Sequence, residues 1–241
     1  MNKVEFYKFL RSRDSGVFGT SLSASQVTGI EGILDAFRTH GDGRVKTLAY
    51  ALATAYHETG GRMVPVREGF ARTDDKARRI VARRKYGKVV NGQVYYGRGL
   101  VQLTWIDNYR ASSADAGVDL VENPDAMLDP VISARVLIKG LIDGRWNARG
   151  IGIAKYLPTG GPDDLKGARR TVNITDKWQL IGEYYKAFLI ALDAGEWAPK
   201  PIVLDATFIE PPEIEARPSG LVALVRAIIN AILAMLGRNR K

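Results

Sequence analysis

The chain has 241 residues, 46% of them hydrophobic, enough for one well-buried domain of roughly 190 residues plus an appendage, and too apolar for a disordered polymer. It contains no cysteine, which removes disulfides and thiolate chemistry, and its two histidines, His40 and His57, cannot build a three-histidine zinc centre. A formal charge of +9 favours polyanions, whether nucleic acid, acidic lipid or the bacterial envelope.

The N-terminal stretch carries only a short apolar run, interrupted by Lys8, and reads as lacking a signal peptide. Ser23 or Ser25 caps a predicted helix with Val27, Ile30, Ile33, Leu34 and Phe37 at three-to-four spacing, ending near Gly41. A second predicted helix starts around Arg44, carries Val45, Leu48, Ala49, Leu52 and Tyr56 on one face, and stops at Gly60-Gly61. The cluster from Lys76 to Lys88 reads first as a solvated helix face and next as a surface for an anionic wall; without a recognition motif, specific nucleic-acid binding comes last. Alternation over Val89–Tyr96, with Asn91-Gly92 as turn, predicts a small hairpin. Asp129-Pro130 opens another helix through Val136, Leu137 and Leu141. The last of the domain begins at Thr175 or Asp176, with Leu180, Ile181, Tyr184, Tyr185, Phe188 and Leu192 inward.

Composition changes after Trp197. Residues 198–219 hold five prolines and no helical period, as expected of a linker. Leu221 to Leu236 is apolar but broken by Arg226 and Asn230. At about 24 Å it is short for a bilayer core of ~30 Å, so residues 220–241 are expected to form an amphipathic, basic-ended helix at an anionic membrane surface; docking on the domain or self-association is the alternative. The fold class expected is mainly α: a catalytic domain over 1–197, a linker and a C-terminal helix.

The chemistry lies in H-E-T-G-G-R-M-V-P-V-R-E, residues 57–68. Glu58 closes a helix and Glu68 follows ten residues on, beyond Gly-Gly and Pro. Two carboxyl groups, one protonated to assist a leaving oxygen and one ionised to activate water, are the minimum equipment for breaking a glycosidic bond. The negative end of the helix dipole should favour the neutral form of Glu58. Ala51, Thr54 and Ala55 on its stripe are small enough to leave room for a substrate. Gly61 occupies the place of the second histidine of H-E-x-x-H, so a metalloprotease is excluded, and no metal or cofactor is expected.

Three blocks in order, H-E-T-G-G with its second glutamate, Y-Y-G-R-G-L-V-Q-L-T-W-I-D-N-Y from Tyr95, and N-P-D-A-M-L-D-P-V-I-S-A from Asn123, resemble the glycoside hydrolase family 19 chitinases over roughly Ser23 to Gly195. The form most similar is the compact one used as bacteriophage endolysins. The resemblance implies a lysozyme-like, two-lobed helical fold and cleavage of β-1,4 links between N-acetylated sugars. Position by position it implies Glu58 as general acid, Glu68 as general base and Thr104 as the hydroxyl that helps hold the attacking water. It further implies Tyr96, Gln102, Trp105, Tyr109, Arg170 and Asn173 as substrate contacts; amides and hydroxyls suit Gln and Asn, and sugar faces suit Tyr and Trp. Asn173-Ile174-Thr175 departs from the family's usual Asn-Gly-Gly. The short glutamate spacing and absent disulfides differ from plant-type members, which turns the expectation toward peptidoglycan and host lysis. A chitinase of the same fold is the first alternative, and a non-catalytic wall- or membrane-binding protein the second. Without a signal peptide, synthesis in the cytoplasm and action at the cell wall or periplasm would need a separate export route.

Overall fold

The computed structural model describes residues 1–147 and 149–198. The expected linker, but for Ala198, and the expected C-terminal helix lie outside the described residues. The domain is mainly α, as the sequence predicts. Its helices are α1 (Lys3–Leu10), α2 (Ala24–His40), α3 (Val45–Glu58), α4 (Asp74–Val81), α5 (Ile106–Ala116), α6 (Pro130–Asp143), α7 (Leu165–Arg169) and α8 (Trp178–Ala194). Short 3₁₀ turns and a two-residue antiparallel pair, β1 (Val66–Arg67) against β2 (Arg98–Gly99), complete it.

Helix α3 is the axle. Every residue from Thr47 to Ala55 is buried, because alternating alanines at 49, 51, 53 and 55 let neighbours approach from all sides. It packs on α2, α6 and α8, while α1 lies on α8 and α5 on α6. Full burial of Leu48 or Leu52 contributes about 1.5–3 kcal/mol each. The sequence placed small residues of α3 beside the substrate; Ala51, Thr54 and Ala55 are fully buried, and of α3 only its C-terminal residues His57 and Glu58 line the cleft.

The capping rules act as the sequence predicts at two helices. Ser23 and Gln26 form a reciprocal capping box on α2, and the Asp129 carboxylate accepts from the Val131 and Ile132 amides ahead of α6. Helix α8 instead begins at Trp178, after a left-handed Lys177 with no side-chain cap, two to three residues beyond the predicted start. The hairpin is smaller than predicted. Asn91 and Gly92 both take positive φ, but only Val90 and Gln93 pair around them.

Two apolar clusters result. The large one unites α1, α2, α3, α6 and α8. The small one comprises Ala71, Ala77, Val81, Val94 and Tyr96 beneath α4. Arg98 is buried beside the small cluster: its guanidinium stacks 3.5 Å from the Tyr96 ring and pairs with Asp125 at 2.7 Å and Asp74 at 3.3 Å. The Y-Y-G-R-G motif is therefore chiefly a brace for the small lobe.

Candidate active site

A cleft of about 440 Å³, within the ~300–1,000 Å³ range of ligand sites, opens between the lobes. Both glutamates line it, with His57, Tyr86, Gln102, Thr104, Trp105, Asn108 and Asn173.

The closure of α3 sets Glu58. The Thr59 hydroxyl donates to the Ala55 carbonyl and accepts from the Met63 amide, the Gly61 amide returns to the Tyr56 carbonyl, and Gly60, Gly61 and Met63 adopt positive φ. This sharp reversal leaves Glu58 as the last helical residue, facing the cleft. Arg169, 2% exposed at the end of α7, places its Nη1 2.8 Å from Glu58 Oε1. The contact is electrostatic, since that N–H has no well-aimed acceptor. Tyr50 and Thr54, earlier on α3, bury hydroxyls that have no hydrogen-bond partner among the described residues. Burial pushes the Tyr50 hydroxyl's pKa well above its ordinary range. Burial also holds His57 below its usual value.

Glu68 begins the 3₁₀ turn after β1, and both its carboxylate oxygens are engaged. Tyr86 donates to Oε1 at 2.7 Å and the Gly97 amide to Oε2 at 2.8 Å, while the Glu68 amide returns to the Gly97 carbonyl at 2.7 Å. A β-carbon at Gly97 would stand 2.8 Å from Gln102 Oε1 and 3.3 Å from Glu68 Oε2. A side chain there would force the Gln102 amide to shift. Burial, and then the bond to Glu68, pushes the Tyr86 phenol up to about 12, so it stays a donor at neutral pH.

The Gln102–Trp105 loop forms the facing wall. Gln102 Nε2 donates to the Val66 and Gly99 carbonyls, Thr104 Oγ1 donates to the Gln102 carbonyl, and Asn108 Nδ2 donates to the Thr104 carbonyl. Gln102 and Trp105 hold positive φ, 51° and 75°, each costing about 1–3 kcal/mol and sustained only by surrounding structure. That backbone leaves the Trp105 indole exposed, edge-on to Tyr86 at 5.4 Å, available to a sugar face.

The cleft thus gathers Glu58, Glu68, Gln102, Thr104, Trp105 and Asn173. It does not gather three predicted contacts. Tyr96 and Tyr109 are fully buried: Tyr96 donates to Asp74, and Tyr109 donates to the Tyr96 carbonyl and accepts from Arg98. Their aromatic faces stabilise the small lobe. Arg170 is exposed but does not line the cleft; α7 turns its neighbour Arg169 inward. Sequence reasoning passed over Arg169, Tyr86, Asn108, Trp146 and His57. The Arg-Arg doublet marked the right segment one residue off, and Tyr86 was concealed inside the basic cluster.

A helical domain whose inter-lobe cleft opposes two carboxyl groups, one on a helix end and one on a turn, has the layout of a glycosidase. Residues 24–142 match the family model described as chitinase class I, that of glycoside hydrolase family 19. Among curated proteins, the chain is 45% identical over 49 residues to an endochitinase A2 of Pisum sativum, covering 20% of this chain and 15% of that protein. It is 30% identical over 142 residues to a basic 30 kDa endochitinase of Solanum lycopersicum, covering 49% and 44%. The chain thus spans less than half the length of these relatives. Chitinase C from Streptomyces griseus superposes with a TM-score of 0.47 at 20% identity, over 82% of this chain and 93% of that one.

Proposed function

We propose that the protein is an endolysin-type glycoside hydrolase that cleaves β-1,4 bonds of peptidoglycan strands with inversion. The observation that carries this reading is the unlike setting of two carboxyl groups in one cleft. Glu68, fixed through both oxygens by Tyr86 and Gly97, suits the role of a base that orients water together with the Thr104 hydroxyl. Glu58 has Oε1 engaged by Arg169, leaving Oε2 to deliver a proton to the leaving oxygen. Trp105 and Asn108 would hold the sugar face and its amide. An inverting geometry needs carboxyl groups roughly 6.5–9.5 Å apart with water between them. The basic charge and the short glutamate spacing support an anionic wall over neutral chitin; chitin oligomers are the alternative substrate. From its sequence, segment 220–241 is proposed to meet anionic lipid, and the site of action to be the cell wall or periplasm.

The test is digestion of purified sacculi and of chitin oligomers, with mass analysis of the released ends. Soluble muropeptides from sacculi are expected, with Glu58→Gln and Glu68→Gln each losing about 10²–10⁴-fold. Release by Glu58→Gln at the native rate would overturn the assignment.

A further inference from the structure

The mechanism leaves the most charged segment of the chain unused. Between Arg72 and Lys88 lie eight Lys and Arg residues against two aspartates. Asp74 is already engaged by Arg78 and Arg98. Lys76, Arg79, Arg83, Arg84, Lys85 and Lys88 are all exposed, and none has an ion-pair partner among the described residues. Six like charges sit over an apolar cluster of only five buried residues, a repulsion that opposes folding of the small lobe.

The charged face is continuous with the cleft. Helix α4 packs on the turn that carries Glu68, and the Ile80 side chain lies over Gly69. Beyond α4 the chain passes through Lys85 to Tyr86, which enters the cleft and holds Glu68. A glycan leaving the cleft past Tyr86 and Trp105 would run beside a row of ammonium and guanidinium groups. Neutral chitin has nothing to offer them, whereas a strand bearing carboxylates at regular intervals does.

We propose that the Lys76–Lys88 face is an extension of the substrate cleft that selects anionic glycans by pairing with carboxylates on the strand. The proposal rests on the glycosidase reading and names the substrate class: carboxylate-bearing strands in preference to neutral ones. Long-range attraction of this kind raises capture, acts through KM rather than kcat, and weakens with salt.

The experiment compares the full chain with Arg79→Gln/Arg83→Gln/Lys88→Gln, none of which touches the catalytic carboxyls. The substrates are sacculi, carboxymethylated chitin and neutral chitin oligomers, at low and high salt. In low salt the variant should lose about tenfold in kcat/KM on both anionic substrates, with kcat kept, a flattened salt dependence, and unchanged turnover of neutral oligomers. Wild-type kinetics on the anionic substrates, or equal loss on all three, overturns the proposal. So does a variant that keeps its sacculus kinetics but no longer sediments with phosphatidylglycerol vesicles, since the face would then serve a lipid surface. If the wild type is inert on sacculi yet cleaves chitin, the peptidoglycan reading fails; the carboxymethylated substrate still decides the role of this face.

Discussion

Tyr86→Phe removes one hydroxyl and isolates its contribution to Glu68, the proposed general base. The phenol donates to Glu68 Oε1 at 2.7 Å, and hydrogen bonds to charged groups contribute about 1.5–3 kcal/mol. Tyr86 is only half-buried, so water would recover part of that, leaving about 1–2 kcal/mol. The bond from the Gly97 amide to Oε2 remains, so the carboxylate keeps one anchor but gains freedom to rotate. Less exact positioning of the water should lower kcat about 5–30-fold, with KM nearly unchanged because the ring's edge contact with Trp105 is kept. Steady-state kinetics on a soluble oligosaccharide, beside a urea melt, reads both quantities. Wild-type kcat would refute the positioning argument, and a fall in kcat matched by partial unfolding would relocate the role of Tyr86 to the fold.

Gly97→Ala should cut kcat by about 10–100-fold with the circular dichroism spectrum retained, because its β-carbon reaches Gln102 and Glu68; native kinetics would count against that crowding. Arg98→Met should cost about 3 kcal/mol, the low end for a broken buried pair because both aspartate partners are partly exposed, and a thermal melt should show a fall of about 6–12 °C. Asp74 carries burial, which raises its pKa, and bonds from Tyr96 and Arg78 with the charge of Arg98, which together lower it below 3.8. A depressed carboxylate stabilises above its unfolded value and loses that contribution as pH falls through its folded value. Urea midpoints of Asp74→Asn should therefore depend less on pH below 4 than those of the wild type.

The helices of the large lobe were legible where apolar spacing coincided with a cap: Ser23 and Asp129 act as their sequences predict. Helix α5 was missed because its few apolar residues are interspersed among Asp, Asn, Arg and Ser, and its N-cap, Trp105, has no capping side chain. The catalytic candidates were legible because H-E-T-G-G encodes a helix stop, which fixes where Glu58 must sit. Tyr96 and Tyr109 misled because an aromatic beside glycine reads alike whether it faces a sugar or an arginine; only the fold brings Arg98 between Asp74 and Asp125. Arg169 reaches Glu58 across more than a hundred residues of sequence, a contact no local pattern reports.

The central claim is that Glu58 and Glu68 act as an acid and a base on opposite faces of one sugar. Proton NMR of the reducing end released in the first turnovers, recorded before mutarotation, tests it most directly. The α-anomer is expected from a β-1,4 substrate, because water held by Glu68 attacks the face opposite the leaving group. Initial formation of the β-anomer would contradict it, since retention requires a double displacement through a carboxylate or the sugar's own acetamido group.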